Sequence, residues 1–224
     1  MSPGGAPRLR PVRWAGLRRP AAAASTSPPG EVSGARLARL VTEVTAPVVL
    51  VTLLTGIVGW HSTGGGAHGL AWGLLATLFA TGLPLAYIVG GVRRGRFTDH
   101  HVGVPEQRRL PLLFGLASSA VGWVLLAAFG APRPLLALVA AGVVGLVVAV
   151  TVSPWWKMSI HTAVAAGVVV VLVLTFGVPL LATVPLPALV GWSRVRLRDH
   201  TVPQVVAGGV VGGLVAGAVY AAFG

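Results

Sequence analysis

Long apolar runs with very few charges recur along this chain and limit what it can fold into. They cover approximately residues 40–60, 68–92, 111–130, 133–153, 160–176, 179–192 and 203–223. An apolar helix of roughly 20 residues crosses the hydrocarbon core of a bilayer. The run 179–192 is shorter and contains Pro179, Pro185 and Pro187. The sequence therefore predicts an all-α polytopic transmembrane bundle of about seven spans, or six if 179–192 does not cross.

The first residues of the chain differ from the rest in composition. Charged residues make up only 10% of the whole chain, against about 25% in typical soluble proteins. Residues 1–35, however, are rich in Pro, Ala, Gly, Ser and Arg and have almost no large apolar side chains. Such a segment cannot bury a core, which predicts a disordered basic tail before a transmembrane helical domain at 36–224. We expect the tail to bind anionic lipid headgroups.

The net charge of +12 is distributed as a topology signal. Basic residues cluster in the tail and in the loops near 93–109, 157 and 194–198, whereas the opposite side holds Arg133 alone. Because cytoplasmic loops are enriched in Lys and Arg, we predict a multi-pass cell-membrane protein with its N-terminus and these loops in the cytoplasm and its C-terminus outside. The basic stretches lack the interleaved aromatic side chains that stack on bases, so no nucleic-acid partner is expected. The oligomeric state stays open.

A shortage of metal ligands excludes several kinds of chemistry. The chain has no cysteine, and its only acidic residues are Glu31, Glu43, Asp99, Glu106 and Asp199. A thiolate metal site is therefore impossible, and the aspartate-rich magnesium cluster that a prenyltransferase would need is disfavoured. We expect a site that uses neither a metal nor an organic cofactor.

Three loops carry polar residues that a purely structural connection would not need. The first reads RRGRFTDHHVGVPEQRRLP, the second WWKMSIHTA and the third WSRVRLRDHTVPQ. Two spans separate each loop from the next, so all three are predicted on one membrane face. Their Arg, Lys and Ser donors suit a phosphate group, and two separate histidines could act as nucleophile and as general acid. The loops together predict a phosphate-transfer site.

The third loop resembles a signature motif of the type-2 phosphatidic acid phosphatase superfamily, which includes lipid phosphatases and vanadium haloperoxidases. That motif is Ser-Arg, five residues, His, three residues and Asp. Here Ser193, Arg194 and His200 keep the spacing, and Gln204 stands in place of the Asp.

Two further motifs of the same family are partly kept, so that the resemblance covers roughly residues 95–215. The second motif is Pro-Ser-Gly-His, of which Ser159 and His161 remain. The first is Lys, six residues and Arg-Pro, and its nearest counterpart is His101, six residues and Arg108. The order of the motifs and their shared side of the membrane strengthen the resemblance.

The resemblance implies a role for each of these residues. His200 would be the nucleophile that forms a phosphohistidine, and His161 the acid that protonates the leaving alcohol. Gln204 would orient His200 without supplying the usual charge, and Asp199 is the alternative orienting group. The residues expected to bind the phosphate are Arg194, Arg108, Ser159, Ser193, Lys157 and His101.

The expected function is metal-independent hydrolysis of a lipid phosphate or diphosphate monoester of the phosphatidate or polyprenyl type. The alternative is a catalytically inactive relative that binds or moves anionic lipids, and Gln204 is the residue that favours it. His61 and His68 fall on the opposite side and are interpreted as polar caps.

Overall fold

The fold is a bundle of helices of unequal length. The computed structural model describes residues 29–98, 107 and 109–224, with side chains from Ser33 onward. Within those ranges no strand occurs, which confirms the all-α prediction. The helices are α1 (Pro29–Val44), α2 (Pro47–Ser62), α3 (Ala67–Thr77), α4 (Leu83–Arg93), α5 (Arg109–Ala128), α6 (Arg133–Val152), α7 (Ile160–Phe176), α8 (Pro185–Arg196) and α9 (Val202–Phe223).

Most of these helices have the length and composition of membrane spans. Five helical segments in the described ranges qualify individually: Ala67–Arg93, Arg109–Ala128, Arg133–Val152, Val178–Arg196 and Val202–Phe223. The bent pair α1–α2 makes a sixth if it counts as one span, and α7 is an apolar helix of 17 residues. The prediction of a polytopic helical bundle is thus confirmed. The segment predicted at 179–192 lies within Val178–Arg196, where a 3₁₀ helix leads into α8.

Two prolines interrupt runs that the apolar pattern predicts as single spans. The run 40–60 is divided between α1 and α2, which meet at 40°, because Pro47 lacks an N–H and holds Ala46 out of the helical region at ψ 145°. Between α3 and α4, Leu78–Gly82 forms a π-helical turn just before Pro84. The Ser118 hydroxyl donates to the Phe79 carbonyl at 2.6 Å, which compensates part of the disturbed backbone bonding. Helix α1 begins at Pro29, inside the range predicted as tail.

Helices α7 and α9 touch backbone to backbone near their starts. A Cβ atom added at Gly208 would meet the Ser159 carbonyl and the Thr162 side chain, and one added at Gly212 would meet the Ala163 carbonyl. Small residues four positions apart allow this close approach of two membrane helices. The contact, which we call the α7–α9 seam, holds the second and third loops against each other.

Candidate phosphate site

The second motif forms the start of α7. Ser159 is the N-cap, and its side chain accepts a hydrogen bond from the Thr162 N–H at 3.5 Å. This role leaves its own hydroxyl proton available for a phosphate oxygen, because a hydroxyl has one donor and two acceptor positions. His161 follows in the first turn, and both side chains are buried. The Ser159 N–H donates to the Gln204 carbonyl at 3.2 Å, so the second and third motifs are joined through their backbones.

The five residues between Arg194 and His200 in the third motif contain the end of α8 and the turn that follows it. The Arg198 N–H donates to the Val195 carbonyl and the Asp199 N–H to the Arg194 carbonyl, both at 3.0 Å. These are the two bonds of a Schellman motif, whose central residue adopts a left-handed conformation, and Arg198 has φ 60°. The turn brings the Asp199 carboxylate back to the Arg194 guanidinium, at 3.1 Å. Asp199 therefore orients the buried arginine.

Gln204 lies beside His200 at the start of α9. Its Oε1 accepts a hydrogen bond from the Thr201 N–H at 3.1 Å and lies 3.2 Å from His200 Nδ1. Because the Thr201 N–H is a donor, the Gln204 side-chain amide must turn its oxygen toward it. That oxygen can only accept hydrogen bonds. His200 Nδ1 must therefore be protonated, and in the neutral imidazole Nε2 then carries the lone pair. For the neutral ring the geometry thus selects the tautomer with Nε2 unprotonated.

The remaining predicted phosphate ligands are Ser193, Lys157, His101 and Arg108. Ser193 is wholly buried, and its hydroxyl donates to the Val190 carbonyl at 2.7 Å and lies 3.1 Å from the Thr42 hydroxyl. Thr42 was not singled out by the sequence, because nothing local marks a threonine in a distant helix as a partner. Lys157 is half-buried in the loop before α7. His101 and Arg108 lie outside the described residues, so their roles stay predictions.

The two remaining histidines lie away from this cluster. His61 packs against Phe176 with ring centroids 4.7 Å apart, at the opposite end of α7 from Ser159. His68 accepts a hydrogen bond from Trp72 Nε1 at 2.9 Å. Both are exposed, as expected of polar caps.

The assembled site is suited to an anion. The N-termini of α7 and α9 lie side by side, and each carries a partial positive charge. Arg194, whose positive charge is partly neutralised by Asp199, adds a guanidinium fork of the kind that binds two phosphate oxygens. Comparison with protein families gives an independent result: the model of the PAP2 superfamily matches residues 108–224. The chain belongs to the PAP2 superfamily.

Membership confirms the family predicted from the second and third motifs. PAP2 proteins are generally phosphatases, so this membrane protein is, at that coarse level, a phosphoric ester hydrolase. Comparison with curated proteins and with solved structures found no match. The matched region begins at Arg108 and contains the second and third motifs entirely, whereas α1 to α4 precede it.

Proposed function

We propose that this PAP2 protein hydrolyses the phosphate or diphosphate monoester of a membrane lipid through a covalent intermediate on His200. The observation that carries the proposal is the double role of Gln204 Oε1, which accepts from the Thr201 N–H and from His200 Nδ1. His200 Nε2 attacks the terminal phosphorus, and the bond from that phosphorus to the oxygen of the leaving group breaks. His161 gives its proton to that oxygen, so the leaving group is the lipid alcohol from a monophosphate and the lipid monophosphate from a diphosphate.

The second half of the reaction regenerates both histidines. A water molecule attacks the phosphohistidine, His161 takes a proton from that water, and the nitrogen–phosphorus bond breaks to release inorganic phosphate. Arg194 and Ser159 bind the phosphoryl oxygens throughout and stabilise the charge of the transition state. The residues in these roles are supported by their burial and by the backbone bond between Ser159 and Gln204.

A cavity inside the bundle supports a lipid substrate. Its volume is about 240 Å³, and its lining is largely apolar, from α2, α5, α6, α7 and α9 together with the π-helical turn. Met158 and Ile160, the neighbours of Ser159, form part of this lining. A hydrocarbon chain in the cavity would therefore begin beside the second motif.

The cavity can be tested by filling it from a glycine. Gly142 of α6 lines it, and a Cβ at that position meets no atom within 4 Å. Gly142→Leu is expected to lower the release of phosphate from a long-chain lipid and to spare a short water-soluble phosphomonoester. Gly209→Leu is the matched control, since Gly209 is equally open and does not line the cavity. Equal losses on both substrates would count against a tail site.

The reaction itself is tested with purified protein in detergent and EDTA. Phosphatidate, a polyprenyl phosphate and a polyprenyl diphosphate are supplied, and the lipid product (the alcohol from a monophosphate, the monophosphate from the diphosphate) and inorganic phosphate are followed separately. A burst of lipid product that precedes phosphate is expected if a covalent intermediate accumulates. Binding of these lipids without any phosphate release would favour the second candidate, an inactive lipid-binding relative, which the neutral Gln204 supports.

A further inference from the structure

Helix α1 packs against α8 along a face of small residues. Gly34, Ala38 and Thr42 follow each other at four-residue spacing, and Ala38 is wholly buried. At Gly34 the missing side chain leaves room for the Arg196 guanidinium, which lies 3.3 Å from the position of a Cβ. This close packing brings α1, which lies outside the region matched by the family, to the end of α8 that carries Arg194.

The α1 face ends in a buried hydroxyl pair with a defined direction. Ser193 has one hydroxyl proton, and it points to the Val190 carbonyl, 2.7 Å away. The hydrogen bond between the hydroxyls of Thr42 and Ser193, at 3.1 Å, must therefore be donated by Thr42. Both side chains are almost completely buried, with 3% and 0% exposure. Loss of the Thr42 donor would thus leave a buried oxygen with poorer hydrogen bonding.

We propose that Thr42 is a positioning residue for the phosphate site, and that it acts through Ser193 on the adjacent Arg194. The proposal rests on the proposed function, because it assumes that Arg194 binds the phosphoryl group. The Thr42–Ser193 bond fixes the rotation of the last turn of α8 against α1. The Arg194 side chain projects from that turn, one residue after Ser193. Groups that bind a transferring phosphoryl group must be held to within roughly 0.5 Å, so a small rotation of this turn is costly.

A purely structural role for Thr42 makes a different prediction. If the bond only stabilised the contact between α1 and α8, its loss would lower the melting temperature and leave the kinetics of the folded protein unchanged. A positioning role requires weaker phosphate binding and slower turnover in protein that is still folded. The two roles are therefore distinguished by the phosphate affinity and turnover of the folded variant.

The test compares two buried threonines, Thr42 in the last turn of α1 and Thr45 directly after the helix ends. Thr42→Val removes the hydroxyl and keeps the side-chain shape, while Thr42→Ser keeps the hydroxyl. Thr45→Val is the matched control, because the Thr45 hydroxyl donates locally, to the Val41 carbonyl of the last turn of α1, at 2.6 Å. We expect Thr42→Val to lower kcat/KM and to raise the Ki of inorganic phosphate by about tenfold, with Thr42→Ser close to wild type and Thr45→Val unchanged in both. Thr42→Ala replaces the valine variant if that variant does not fold.

A second comparison asks whether the effect passes through Ser193. The losses of Thr42→Val and Ser193→Ala should not add in the double variant, since both remove the same bond. The proposal would be overturned if folded Thr42→Val had the kcat/KM and Ki of the wild type, or if Thr45→Val lost as much as Thr42→Val. It would also be overturned if Thr42→Ser failed to restore activity, or if the losses in the double variant were fully additive.

The outcome can be separated from that of the proposed function. If the wild-type protein releases no phosphate from any lipid, the proposed function fails, and Thr42 is judged by calorimetric titration with inorganic phosphate alone. Weaker binding in Thr42→Val than in Thr45→Val would then still support the positioning role. Wild-type protein that neither releases nor binds phosphate would overturn both proposals.

Discussion

Replacing Gln204 by glutamate should make this protein a faster phosphatase. Glutamate has the shape of glutamine, so one carboxylate oxygen can keep both contacts that Oε1 makes, with the Thr201 N–H and with His200 Nδ1. The helix start is preserved as well, because a capping box accepts either Glu or Gln at this position. The substitution therefore changes the charge beside His200 and little else.

The size of the gain follows from the hydrogen bond. A bond to a charged group contributes about 1.5–3 kcal/mol and a neutral one about 0.5–1.5 kcal/mol. His200 becomes positively charged as it attacks, so a difference of about 1 kcal/mol in favour of that state would raise kcat roughly fivefold. Gln204→Leu removes the acceptor from His200, which is buried, and from the exposed Thr201 N–H. A cost of about 1–3 kcal/mol for the buried donor corresponds to a roughly 5- to 150-fold loss.

The assay is phosphate release from the best lipid substrate at pH 7 in detergent, with melting temperatures as a control for folding. The expected order of kcat is Gln204→Glu, wild type, Gln204→Leu. A glutamate variant slower than wild type, together with a fully active leucine variant, would refute the assignment of Gln204 as the partner of His200. Asp199→Asn tests the other candidate partner of His200. Because the Asp199 carboxylate contacts the Arg194 guanidinium, this substitution should weaken phosphate binding through Arg194.

Other predictions concern the histidines, the helix seam and the orientation. His161→Ala and His200→Ala should each abolish phosphate release while the protein stays folded, and turnover by either variant would contradict its role. Gly208→Ala should lower stability by about 1–3 kcal/mol, since the new Cβ collides with backbone, whereas Gly209→Ala, which points into open space, should leave the melting temperature nearly unchanged. A reporter that is active only outside the cytoplasm should give a signal when fused to Gly224, and a signal from a tail fusion instead would reverse the orientation.

The sequence predicts the helices better than their irregularities. The run 160–176 coincides with α7, because a long apolar stretch bounded by Ser159 and Gly177 has clear ends. The bend at Pro47 and the π-helical turn before Pro84 are not visible in an apolar pattern, although a proline inside such a run is a signal of distortion. The pattern of apolar residues indicates which residues avoid water, but it does not indicate where backbone hydrogen bonds of the helix are broken.

For the site, spacing identifies the candidates but does not pair them. The sequence leaves both Asp199 and Gln204 open as partners of His200. The left-handed turn at Arg198 directs the Asp199 carboxylate to Arg194. The helical offset of four residues brings Gln204 back to His200. Thr42 lies 151 positions from Ser193, and only the packing of α1 on α8 brings the two together.

The α7–α9 seam also limits how this protein can diverge. Most clashes between side chains can be relieved by a second substitution that makes the neighbour smaller. At Gly208 and Gly212, however, an added side chain meets carbonyl oxygens of the facing helix, and every amino acid has a carbonyl oxygen. Descendants of this chain are therefore expected to keep small residues at both positions for as long as the two motifs work together, and to vary freely at the open Gly209 between them.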